Sequence, residues 1–125
     1  MEGYKAIVSR ASRELSVKEK IMLKDMSDAE KLDDIVKDSA VIINPDMYAM
    51  VNVHNEKSDT KDYTKIVIID KQGTKYTTGS MPFITTFLDI WDEMTDAGEE
   101  DFTIKIYPKE SKNYKGKYFI TCSLV

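Results

Sequence analysis

The residues of this chain best placed to do chemistry are rings and lysines. Ser111-Lys112-Asn113-Tyr114-Lys115-Gly116-Lys117-Tyr118-Phe119 interleaves three lysines with three aromatic side chains. Tyr63-Thr64-Lys65 and Lys75-Tyr76 repeat the combination on the two arms of a readable hairpin, and Tyr48 with His54 offers a third ring surface. Lysines neutralise the phosphates of an extended nucleic acid, and rings accept its unstacked bases at about 1–3 kcal/mol each. The candidate contacts to single-stranded nucleic acid are therefore Tyr63, Lys65, Lys75, Tyr76, Lys112, Tyr114, Lys115 and Lys117. The same residue types also suit an ordinary surface. Tyrosine is common on half-buried strands, and lysine blunts exposed sheet edges. A generic interaction module stays open at this point.

Catalytic equipment is sparse. His54 is the only histidine and Cys122 the only cysteine, so neither a His/Cys metal site nor an internal disulfide can be assembled. The carboxylates between Asp89 and Asp101 lack the alternating Asp/Asn series of a calcium loop. Gly73, Gly79, Gly98 and Gly116 are isolated turn glycines without a phosphate-loop pattern. The expectation is no enzyme, no metal and no cofactor.

A length of 125 residues suits one domain spanning 1–125, with residues 1–14 read as a flexible arm or a short first element. A chain 42% hydrophobic and 32% charged is globular in type. No apolar run approaches the roughly 20 residues of a membrane span, and the first residues lack a signal-peptide core, so a cytoplasmic location without membrane contact is expected. The net charge of −4 hides a segregation. Asp89 to Asp101 holds seven acids and no base, whereas Thr103 to Val125 holds five lysines against Glu110. A basic face can exist on an acidic protein.

The elements that must position these residues read as follows. Glu14–Asp25 is ambiguous, because Ser16 with Glu19 makes a helical capping box while Ile21-Met22-Leu23 would suit a strand. Ser27-Asp28-Ala29-Glu30 repeats the capping-box pattern ahead of Leu32, Ile35 and Val36. Ala40–Asn44 is a β-branched run stopped by Pro45-Asp46. Met47–His54 alternates, Tyr63–Asp70 and Thr74–Thr78 flank a Lys-Gln-Gly turn, and Phe83, Phe87, Ile90, Trp91 and Met94 mark one face of a helix over about 80–95. Ser80 or Thr78 can cap it, with Pro82 in the first turn. Phe102, Ile104 and Ile106 alternate, and Lys117–Val125 closes the chain as a strand. A mainly β chain whose one clear helix precedes the last two strands suits an OB-like Greek-key barrel. A small α+β sandwich is the alternative. In an OB-fold the loop between the last two strands is one wall of the ligand groove.

Leu15–Asp25, Val53–Lys57, Asp62–Lys65, Gly73–Ser80 and, most strongly, Pro108–Lys117 running into Phe119–Leu124 resemble stretches of small single-stranded DNA-binding proteins of phages and mobile elements in Gram-positive bacteria. More loosely, the chain is similar to the replication single-strand binders of protein-primed phages. The resemblance implies an OB-like fold, non-catalytic coating of single strands during phage or mobile-element replication or recombination, no metal or nucleotide cofactor, and a first barrel strand around Ile21–Leu23. It implies the eight rings and lysines named above as the contacts, and a host cytoplasm as the location. Single-stranded DNA is the implied partner. Phage or host replication proteins are further candidates, and a homo-oligomer is compatible with the chain. Bacterial housekeeping binders carry a Gly/Pro-rich linker and an acidic tail, whereas this sequence closes on apolar strand, so recruitment of host enzymes through such a tail is not expected. The rival reading is a phage interaction module whose acidic helix face binds a host protein or mimics DNA charge.

Overall fold

Alternation along residues 45–55 organises the molecule, because it divides one long strand between two hydrophobic clusters. The computed structural model describes residues 3–37, 39–113 and 116–125. In chain order the elements are β1 (Tyr4–Ala11), α1 (Val17–Lys24), β2 (Glu30–Lys31), α2 (Leu32–Ile35), β3 (Val41–Ile43) and β4 (Pro45–Asn55). Then come β5 (Asp62–Asp70), β6 (Lys75–Thr78), α3 (Met81–Asp96), β7 (Ile104–Glu110) and β8 (Tyr118–Leu124). The strands form a five-stranded sheet ordered β1-β4-β5-β6-β2 and a three-stranded sheet ordered β3-β7-β8.

Tyr48 and Met50 of β4 join Ile66 and Ile68 of β5 in the larger core, under Phe83, Ile84 and Phe87 of α3 and Ile104, Ile106, Ile120 and Cys122 of the smaller sheet. Met47, Ala49, Val51 and Val53 point the other way, with Val67, onto Leu15 and onto Leu23 of α1. Period-two alternation thus places every other residue of one strand in each cluster. The mainly β class and the single long amphipathic helix before the last two strands are as expected. The barrel is not closed. Among the described residues no ladder joins β6 to β8, and the two sheets are connected through the β3–β4 stretch.

That stretch departs from the expected stop at Pro45-Asp46. Pro45 opens β4, where a register shift before Met47 accommodates a residue that cannot donate to the ladder. Asn44, between β3 and β4, is where the chain passes from one sheet to the other. Its side-chain amide donates to Asp101 at 2.9 Å and to the Phe102 carbonyl, and its own carbonyl accepts from the Lys71 N–H at 2.9 Å.

Other differences have equally local causes. Val17–Lys24 is helical, which corrects the barrel strand implied around Ile21–Leu23. The Ser16–Glu19 capping box is present in both directions, and only Leu23 is buried while Ile21 and Met22 face out. The second capping-box pattern does not start a helix, because Glu30 pairs as strand with Tyr76 and α2 begins beyond Lys31. Tyr4–Ala11, read as an arm or short first element, pairs along its length with β4. Tyr48, read as part of a ring surface, is buried, with edge-on contacts to Phe87 at 5.7 Å and Trp91 at 5.2 Å. The face opposite Met47 and Ala49 is the one α3 covers.

Candidate nucleic-acid interface

Tyr63 and Lys65 lie two residues apart on one face of β5, both half-buried. Tyr63 stands opposite Val53, which stands opposite Ala6 of β1. Lys65 stands opposite Val51 and runs beside Gly79, where a side chain would meet its Cγ at 3.9 Å. The same sheet face carries Tyr4 of β1, opposite Asn55 and 37% exposed. Beside it, Tyr4, Ala6 and Val8 form one wall of a groove of about 600 Å³ to which α1 contributes Lys20 and Lys24. Tyr4, Lys20 and Lys24 were not among the expected contacts. The alternation of Tyr4, Ala6 and Val8, and the helical spacing of Lys20 and Lys24 behind a true capping box, are the signals that point to them.

Lys75 and Tyr76 are separated by the strand they share. Lys75 opposes Ile69 on the α1 side of the sheet. Its Nζ donates to the Met22 carbonyl at 2.8 Å, the Asp25 carbonyl at 3.0 Å and Asp28 Oδ1 at 2.9 Å, leaving the side chain 12% exposed. A cation at the end of α1 satisfies carbonyls that the helix leaves without intrahelical donors. Tyr76 turns to the opposite face and packs against the larger core. Burial pushes its phenol above the ordinary value, and its hydroxyl lies 3.4 Å from Asp70 Oδ2.

The final hairpin presents Lys112 and Lys117, both exposed, on the loop between β7 and β8. Ser111 N–H donates to the Lys117 carbonyl at 2.8 Å, and Gly116 turns the chain at φ +81. Tyr114 and Lys115, also expected contacts, lie outside the described residues. Tyr118 opens β8 and is 66% exposed. With Phe119, Lys37 and Ser80 it lines a groove of about 750 Å³, whose floor is Val36 and Ile120 and whose one carboxylate is Asp33.

At Gly79-Ser80 the chain touches both sheets. Ser80 is the N-cap of α3 and makes no side-chain cap bond; its hydroxyl instead donates to the Ile120 carbonyl of β8 at 3.3 Å. Thr78 Oγ1 accepts from the Ser80 N–H at 3.1 Å and donates to Asp33 at 2.8 Å. Gly79-Ser80 thus runs beside Lys65 of β5 and Ile120 of β8, although Tyr63 and Lys65 face the α1 side of the larger sheet and do not line the Tyr118 groove. The α3 axis begins here with its positive dipole end, while Asp89, Glu93 and Asp96 lie in its C-terminal half.

Exposed rings and lysines beside an open groove, on a mainly β fold of two small sheets, fit a class, the β modules that can present stacking and phosphate contacts to an extended ligand. The family model described as Phage Single-stranded DNA-binding protein, of phi29 type, matches residues 6–125, and the chain belongs to that family. Neither a search of curated proteins nor one of solved structures returned a match. Among the described residues no helix is long and apolar enough to cross a membrane, and no three His, Cys, Asp or Glu side chains are grouped to hold a metal ion.

Proposed function

We propose that this protein coats single-stranded DNA without sequence preference and without catalysis, in phage or mobile-element replication or recombination. The observation that carries the reading is the open groove beside β8, where the exposed Tyr118 and the half-buried Phe119 stand with Lys37 over an apolar floor, and the exposed Lys117 and Lys112 follow on the adjoining loop. The strand would pass Tyr63 and Lys65, cross the bare backbone at Gly79, and continue along Tyr118 to Lys117 and Lys112. Tyr114 and Lys115, next in sequence to Asn113, remain proposed contacts. Lys75 and Tyr76 serve the surface indirectly, the first by holding α1 and the second by packing β6. The chain order supports an OB-like reading. The bent β3–β4 pair acts as the first barrel strand, followed by β5, β6, α3, β7 and β8, with the barrel opened between β6 and β8.

Such a groove neutralises phosphates and stacks bases, so affinity falls linearly with log salt and tolerates base changes. Fluorescence anisotropy with labelled oligo-dT, oligo-dA and duplex of equal length tests this. Tight binding to both single strands and weaker binding to duplex is expected. Absence of binding at low salt would refute the proposal. Lys65→Gln with Tyr118→Ala should weaken binding by at least tenfold, since one lost stack alone is worth about 1–3 kcal/mol.

A further inference from the structure

The three-stranded sheet has an outer face that meets the groove only at Phe119. Its inner face supplies Ile104, Ile106, Ile120 and Cys122 to the larger core. The alternate positions must face away. In register these are Ile42 opposite Lys105, Tyr107 opposite Thr121, and Lys109 opposite Phe119. Lys105 and Lys109 are exposed, Ile42 is 62% exposed, and Tyr107 and Phe119 are half-buried. Two lysines alternate with a ring along β7, and Phe119 lies diagonally beside Tyr107 on β8. Lys105 Nζ sits 6.0 Å from the centre of the Tyr107 ring, so a cation and a stacking surface occur at one place. Among the described residues of the three strands the sole carboxylate is Glu110. It falls on the other face, opposite Tyr118, and accepts from the Gly116 N–H at 3.3 Å.

We propose that this outer face is a second contact surface for the same DNA strand, reached from the groove past Phe119. The inference rests on the single-strand-binding reading above and adds a place where a longer strand continues. Two features favour nucleic acid over a protein partner. The face combines positive charge without acid and rings at alternate positions, the pairing that phosphates and bases together require. It is also continuous with the groove. Phe119 lines the groove and belongs to the outer face, and the Ser111–Lys117 backbone bond joins the two surfaces at the loop. Lys105 and Lys109 are four residues apart on one strand, about 13 Å, so both can meet one extended backbone.

The test uses the full chain with oligo-dT of about 8 and about 30 nucleotides. Wild type is compared with Lys105→Gln/Lys109→Gln, whose exposed side chains can change without disturbing the fold. A control variant, Lys18→Gln/Lys57→Gln, makes the same charge change elsewhere. Each phosphate neutralised on a single strand adds about 0.7 to the slope of log affinity against log salt. The Lys105/Lys109 variant should therefore lose about 1.4 from the slope on the long strand and keep the wild-type slope on the short one. Tyr107→Leu should weaken long-strand binding about tenfold. An unchanged long-strand slope overturns the proposal, as does an equal loss in the control. So does a changed sedimentation coefficient of the DNA-free variant with an unchanged slope, which would make the face a contact between copies of the chain. Failure of wild type to bind either strand defeats the underlying function instead, and is seen before any variant is made.

Discussion

His54 lies between two carboxylates at the head of the β4–β5 hairpin, with Nδ1 2.7 Å from Asp62 Oδ1 and Nε2 2.6 Å from Glu56 Oε1. The Asp62 contact, and then the Glu56 contact, hold the imidazolium above the ordinary histidine range. A raised folded-state value means the pairing is fully present below about pH 6.5 and is lost as pH rises through the raised value. Glu56 is held below its usual range, first by His54 and then by Lys61. Its share is present above the usual carboxylate value and is lost as pH falls through the lowered one. The melting temperature of wild type should exceed that of His54→Gln in a window bounded by these two transitions, and thermal melts from pH 3 to pH 9 would show it. A constant difference across that range would argue against the clamp. Lys75 is a second residue whose role is set by its partners. Lys75→Met keeps the aliphatic stem and strands two carbonyls and Asp28, so urea unfolding should show a loss of about 1–3 kcal/mol. Composition marked Lys75 as a DNA contact because lysine beside tyrosine reads as a binding pair. Only the cross-chain position of α1, some fifty residues earlier, shows its use.

At the scale of elements, those whose signals lie within a few neighbouring residues are legible in the sequence. The β5–β6 hairpin follows from the Asp70–Gly73 turn, where Asp70 Oδ1 accepts from Gln72 and Thr74 N–H at 3.0 and 2.9 Å and Gly73 takes φ +87. The long helix follows from the spacing of its apolar face. The first third was less legible because its short elements depend on partners distant in sequence: β1 on β4, and β2 on β6. For α1 the local capping box was the better guide than family likeness. Arg13 bonds Glu19, and with Ser16 this lowers the Glu19 carboxyl to about 2. Ser16→Ala should therefore destabilise the protein by about 1 kcal/mol, measured by urea unfolding. Amide exchange should quicken first in residues 17–24, since Leu23 is the helix's one buried anchor. Uniform quickening across β4 and β5 would mean instead that α1 and the sheet open as one unit.

For the whole molecule, the sharing of one bent strand between two sheets was beyond reach of any window of sequence, because it turns on Asn44 and on the pairing of β3 with a strand sixty residues later. That sharing sets the charge layout. It puts the N-terminus of α3 at the groove and sends the exposed Asp89, Glu93 and Asp96 down the helix, while Asp92 is held by Arg10 at 2.9 Å. The first of these acids lies about 12 Å along the axis from Met81, beyond a Debye length of about 8 Å at physiological salt. A chain of net charge −4 can therefore bind a polyanion, provided the acids and the groove are electrostatically separate. Asp89→Asn/Glu93→Gln/Asp96→Asn tests that separation. Affinity for oligo-dT at 0.15 M salt should change by less than about twofold. At 0.01 M, where the screening length is about 30 Å, affinity should rise severalfold as long-range repulsion is removed. A large change at 0.15 M would place α3 within the contact surface. A loss of binding at both salts would show that the acidic face takes part in holding the strand, which the groove reading does not allow.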